Sequence, residues 1–255
     1  MDKKKNKKNN AAGIFLLLSA LLLGVLIVVL VARNKTHMTI NGGTEGDRVI
    51  SGSYPLPGEL IESDKTVYFA YTEIPDLIFN KMNGVSFTED TPVSRDELRY
   101  MKVLYWGTDG QAHTGELIVN VSIAEAVQDI FYTLYKSAYP IEQISLIDTY
   151  GGNDEVSMSN NNTSCFNTRK IEGTDEWSLH SYGLAIDINP LYNPYVAADG
   201  TVLPLSAGEY ADRTQNFTMK IDETDYAYEV FSRYGFTWGG NWNSVKDYQH
   251  FEMTQ

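Results

Sequence analysis

One cysteine, Cys165, stands among 255 residues. An intrachain disulfide is therefore excluded, and a folded domain must rest on its hydrophobic core, which about 190 residues suffice to build. Positive charge is scarce beyond the first segment: residues 1–38 hold seven Lys or Arg against one Asp, and the remainder carries −19 within a total of −13. A domain this acidic has no basic face for a phosphate backbone, which excludes nucleic acid as a partner. No internal repeat is present. Histidine is equally sparse, with four in the chain.

Long apolar runs are absent but for one, Ala11 to Ala32, which has no charge in 22 residues and follows Lys3, Lys4, Lys5, Lys7 and Lys8. That length spans a bilayer core as a helix, and it exceeds the apolar region of about 7 to 15 residues in a cleaved signal peptide. The lysines keep the N-terminus cytoplasmic. The expectation is a single-pass cell-membrane protein with an extracellular domain, cleavage after Ala32 being the alternative. Residues 1–10 then form a cytoplasmic basic tail, 11–32 the transmembrane anchor, 33–66 an extracellular linker rich in Gly, Ser and Pro, and 67–255 the functional domain.

Within that domain, a short helix is predicted from Pro75 to Met82. Ser94 and Glu97 have capping-box spacing. Met101–Trp106 and Glu116–Val121 read as strands joined across Gly107-Thr-Asp-Gly110. Ser122 and Glu125 repeat the box, and Ile123, Val127, Ile130, Phe131 and Leu134 recur at helical spacing until Tyr139-Pro140 stops them. Ile144–Asp148 reads as a further strand, Gly151–Trp177 as a long loop, Asn189–Pro194 as a rim loop, and Asp222–Tyr234 as a helix ended by Gly235.

The chemistry-bearing stretches are Ser178-Leu-His-Ser-Tyr-Gly-Leu-Ala-Ile-Asp187 and Asp247-Tyr-Gln-His-Phe-Glu252. Leu184, Ile186 and Ile188 alternate with Ala185 and Asp187, the pattern of a half-buried strand whose Asp187 points away from the core. Gly183 gives the preceding loop freedom to turn His180 towards Asp187. Tyr248, His250 and Glu252 alternate in the same way. Two imidazoles and one carboxylate make a three-ligand zinc set with the fourth position open to water, which is a catalytic arrangement. Strict alternation separates Asp247 from His250, so a turn or bulge must intervene between them. His37 and His113 are not proposed as ligands.

The run S-L-H-S-Y-G-L-A-I-D-I-N-P, followed by W-G-G-N-W-N-S-V-K-D-Y-Q-H-F-E, resembles the zinc D-alanyl-D-alanine carboxypeptidase and L-alanyl-D-glutamate endopeptidase family from about Leu98 to Gln255. The resemblance implies the hedgehog/DD-peptidase fold, with helices on a mostly antiparallel sheet in the α+β class. It makes His180, Asp187 and His250 the zinc ligands, Asp247 the general base, and Arg169 the residue that steadies an oxyanion. Peptidoglycan stem peptides are the implied substrates, and cleavage of a terminal D-alanine leads internal cleavage.

Further roles are open at this level. Arg169 has the alternative of a surface ion pair with an acid such as Glu172. Ser178 binds either substrate or its own loop backbone. Trp242 and Trp238 line a peptide cleft or belong to the core. Glu252 orients the His250 ring or is an exposed strand-end acid. Two rival classes remain: a binding module with a vestigial site, and an envelope protein in which zinc only braces the fold, for which Glu252 would close the coordination shell.

Overall fold

The computed structural model describes residues 54–254, so the anchor expected at 11–32 lies outside the described residues. No helix among the described residues is long and apolar enough to cross a membrane. Residues 54–66, assigned above to the linker, pack on the domain: Leu60 is buried, and the Tyr135 hydroxyl donates to the Pro55 carbonyl at 2.6 Å. Short helix α1 (Lys65–Tyr68) and strand β1 (Tyr71–Thr72) follow, then α2 (Asp76–Met82). The Ser94 box forms, but on a single 3-10 turn: the Ser94 N–H and hydroxyl both donate to Glu97.

The longest elements are strands β2 (Leu98–Trp106) and β3 (Ala112–Asn120), an antiparallel hairpin extended at its edge by β1. Its register sets Met101 opposite Leu117 and Tyr100 opposite Ile118. Opposed residues share a face, so the two pairs point to opposite sides. One side meets the main core, and the other joins Ile74, Ile78, Met82 and Phe166 in a second cluster. Helix α3 (Ala124–Lys136) lays Val127, Ile130, Phe131 and Leu134 on the main-core side. The box expected at its start does not form. Ser122 instead donates to the Asn120 side chain at 2.7 Å, a local bond that competes with capping.

Beyond α3 the elements shorten. The strand expected at 144–148 is only β4 (Gln143–Ile144), followed by a 3-10 turn. The long loop at 151–177 contains helix α4 (Asp154–Ser159) and strand β5 (Asn162–Thr163), which pairs with β4 in parallel. Strand β6 (Ala185–Asp187) leads into a segment with β7 (Tyr195–Val196) and β8 (Val202–Leu203). Helix α5 (Tyr226–Arg233) starts at Asp225, whose carboxylate accepts from the Ala227 N–H, and ends before Gly235 at φ +89°. Last come β9 (Thr237–Trp238), β10 (Lys246–Asp247) and β11 (His250–Glu252).

The class is α+β as expected, with antiparallel pairing divided among three three-stranded sheets: β1-β2-β3, β6-β11-β9 and β10-β7-β8. Phe231 on α5 stacks on Phe251 of β11 at 4.3 Å between centroids, which fixes the last strand against the core. Strand β6 departs from the half-buried reading. Ala185, Ile186, Asp187 and Ile188 are all buried, because a second layer, the segment around Ser164, covers the other face and bonds Asp187 through both backbone groups. Asp187 therefore faces an enclosed site and not solvent.

Candidate metal centre

His180 sits on one 3-10 turn, Leu179–Tyr182. Ser178 caps that turn, accepting from the His180 N–H at 3.3 Å, and Gly183 closes it at φ +68°. Glycine is needed at 183 on two grounds: the left-handed backbone, and a close approach in which a Cβ would lie 2.8 Å from the Asn120 nitrogen. The Asn120 N–H donates to the Gly183 carbonyl at 2.8 Å, docking the turn on the end of the long hairpin. Asp187 and His250 are direct cross-strand partners in β6 and β11, so their side chains leave the same face.

The three side chains converge. His180 Nε2 lies 3.2 Å from an Asp187 carboxylate oxygen and 3.2 Å from His250 Nδ1, and His250 Nδ1 lies 3.1 Å from the other Asp187 oxygen. Ligand atoms at about 2.0–2.1 Å from a tetrahedral zinc are separated by roughly 3.3 Å, so these spacings fit one ion. All three residues are buried, at 2, 6 and 5 % exposure in chain order. Each imidazole is oriented from its far side, since His180 Nδ1 donates to the Cys165 carbonyl and His250 Nε2 donates to Glu252 at 3.0 Å. Those bonds leave His180 Nε2 and His250 Nδ1 as the nitrogens facing Asp187, as metal-binding histidines require.

A family model, D-alanyl-D-alanine carboxypeptidase, matches residues 172–253, the span that holds all three of these residues. Residues 172–253 carry a domain of that family. No curated protein and no solved structure is found to match the chain.

Charge in the family domain is set for a cation. Burial raises the Asp187 pKa, but the imidazoles of His180 and His250 override it and hold the carboxyl well below its usual range. Burial lowers the His250 pKa, yet Asp187, Glu252 and the charge of Asp247 bring it up to about 10. An excess of carboxylate in a buried site retains a proton when no metal is present, and a divalent ion satisfies the same demand.

Asp247 lies beside this group. Burial pushes its pKa up to about 6, opposed by His250, while Asp187 adds to the rise. Its Oδ1 is buried and has no hydrogen-bond partner among the described residues. The intervening turn needed to bring Asp247 and His250 together is present: β10 pairs with β7, the chain breaks at Tyr248–Gln249, and β11 pairs with β6. Gly239 makes this possible, because a Cβ there would lie 2.8 Å from the Asp247 Cβ and 3.3 Å from the His250 Cβ.

The remaining candidates divide. Trp242 is half-buried beside His250, with ring centroids 5.3 Å apart, whereas Trp238 is buried in the core. Ser178 is buried and bonded to the loop backbone on both sides. Glu252 orients the ring. It occupies the nitrogen of His250 that faces away from Asp187, so it does not close a shell around the same ion, as the bracing reading required. Arg169, upstream of the matched span, is ion-paired with Asp154 and not with Glu172. Asp154 and the Cys165 carbonyl escaped the sequence reading, the first because its contact is tertiary and the second because a backbone acceptor leaves no mark on residue type. Gly239 carried a signal, as one of two adjacent glycines before the last motif.

Proposed function

We propose that the domain is a zinc-dependent peptidase acting on peptidoglycan stem peptides, and specifically a D-alanyl-D-alanine carboxypeptidase. The observation that carries this is the convergence of His180 Nε2, the Asp187 carboxylate and His250 Nδ1, with the other nitrogen of each imidazole tied to an oxygen acceptor. When bound, zinc supplies Lewis acidity to a scissile carbonyl and to water. Asp247, a buried carboxyl tuned towards neutrality, takes a proton from the attacking water and returns it to the leaving amine. Arg169 offers positive charge to the oxyanion, which develops only in the transition state. Trp242 offers an apolar wall beside His250 for the peptide.

The test is incubation of the zinc-loaded protein with purified muropeptides, with product masses as the readout. Loss of one alanine from a pentapeptide stem supports the carboxypeptidase. Release of the whole stem beyond L-alanine replaces it with the L-alanyl-D-glutamate endopeptidase reading. Equal inertness of the wild type and Asp247→Ala on every muropeptide favours a binding module. The proposed location is outside the cytoplasmic membrane, anchored by residues 11–32, in keeping with the charge-free run there. Protease added to wall-stripped cells should digest the domain, and full protection would reverse this topology.

A further inference from the structure

Arg169 is held at both ends. Its N–H donates to Ser181 Oγ at 2.8 Å, and its carbonyl accepts from Ser181 Oγ at 2.8 Å and from the Ser178 N–H at 3.1 Å. Both partners flank His180 on the turn that carries it. The side chain meets α4, where Asp154 Oδ2 pairs with Nε. The other oxygen of Asp154 accepts from Asn167 Nδ2 at 2.7 Å, and the Asn167 N–H donates to the His180 carbonyl at 3.2 Å. A closed circuit thus runs from His180 through Asn167, Asp154 and Arg169 to Ser181 and back.

The point of attachment matters. An arginine whose task is a surface ion pair commonly presents two parallel N–H groups to the carboxylate. Here the nearest approach is through Nε, a buried nitrogen that makes no hydrogen bond, and neither terminal nitrogen has a hydrogen bond among the described residues, while the side chain is 36 % exposed. A guanidinium fixed in this way keeps a two-pronged donor free and has already lost much of its rotamer freedom, so less entropy is lost when an anion arrives.

We propose that Asp154 is a positioning residue for Arg169, holding the guanidinium by Nε so that its two terminal nitrogens receive an anionic oxygen of the peptide at the His180–Asp187–His250 centre. The proposal rests on the peptidase reading and adds to it a residue outside the matched span. The oxygen belongs either to the developing oxyanion or to the C-terminal carboxylate of the substrate. Under the first, loss of Asp154 lowers kcat; under the second, it raises KM.

The experiment uses the zinc-loaded full-length protein as wild type, Asp154→Asn, Arg169→Ala and the double variant, with pentapeptide muropeptide as substrate. Asp154→Asn is expected to lower kcat/KM by about 100-fold, the scale of a misplaced catalytic group, with zinc content unchanged. On the Arg169→Ala background, the same substitution should change kcat/KM by less than about threefold, because the two residues act as one unit. Full additivity, or wild-type kinetics in Asp154→Asn, would overturn the proposal. A second readout needs no turnover: the Arg169 Nε–H proton, observed by nitrogen-edited NMR, should exchange slowly in the wild type and rapidly in Asp154→Asn. An unchanged signal also overturns it. If the wild type cleaves no muropeptide, the peptidase reading fails, and the Nε–H signal still reports whether Asp154 holds Arg169. Should Asp154→Asn not fold, Asp154→Glu keeps the charge and is expected to retain both the slow Nε–H exchange and most of the activity; loss of both would count against the proposal.

Discussion

Strands β2 and β3 run nine residues each and are clothed on both faces by apolar side chains, with α3 on one side and α2 on the other. Strands β6, β10 and β11 run two or three residues, and around them His180, Asp187, Asn189, Gln249 and His250 are all buried. Burying charge costs stability unless partners compensate it. The comparison teaches where each property resides: the hairpin and α3 supply the apolar burial, and the region docked on the end of β3 through Gly183 can retain polar groups because it does not have to hold itself together alone.

The strongest test of this division separates function from stability. Asp247→Ala should lower kcat by about 10²- to 10⁴-fold, the usual worth of a general base, while leaving zinc content and melting temperature close to wild type. His180→Ala or His250→Ala should abolish tight zinc binding and all turnover, whereas His113→Ala, in the hairpin, should retain its zinc. Equal zinc content in all three histidine variants would show the centre to be misassigned. The converse experiment is Phe131→Ala in α3, which is fully buried. It should destabilise the domain by about 3–5 kcal/mol, read by denaturant unfolding, with normal zinc content in the fraction that remains folded.

The same division governs what could be read from residues alone. Helix α3 and the long hairpin were visible because their periodicities persist, and the metal group was visible because residue types recur at distinctive spacing. Glu116–Val121 fell short of the true start of β3 at Ala112, since Ala112, His113, Thr114 and Gly115 at the loop end give no alternation of large apolar residues. Strand β6 was found, but its second covering layer comes from Ser164, distant in sequence, and no local pattern encodes double burial. The same holds for Asp154 and Arg169, whose pairing depends on the path of a loop that carries few regular signals.

A smaller effect sharpens the boundary of the metal centre. Glu252 touches no proposed ligand atom but fixes the ring of His250 through Nε2. Glu252→Gln preserves shape and removes the charge, so it should weaken zinc about 10- to 100-fold by metal-buffer titration. Unchanged affinity would make Glu252 a mere strand-end acid.

A pH-dependent effect lies in the metal-free protein, where the sign can be worked out. The pKa of His250 in the fold, about 10, stands above the ordinary histidine value near 6.5. Its contribution to stability is therefore fully present below pH about 6.5 and is lost as pH rises through about 10. Asp187, held low, behaves oppositely: its contribution is present above the ordinary carboxylate value near 3.9 and is lost as pH falls through its depressed pKa. Metal-free protein should thus melt several degrees lower at pH 9.5 than at pH 6.5, on the scale of about 2–4 °C per kcal/mol for a domain of this size. Zinc should remove the slope, because it replaces the proton on Nδ1 while the proton on Nε2 stays there, donated to Glu252. By the same exchange, apparent zinc affinity should rise by about tenfold per pH unit between 6.5 and 9.5. A metal-free melting temperature that is flat across this range, together with pH-independent zinc affinity, would mean that His250 holds no extra proton and that the carboxylates around it do not select for a cation.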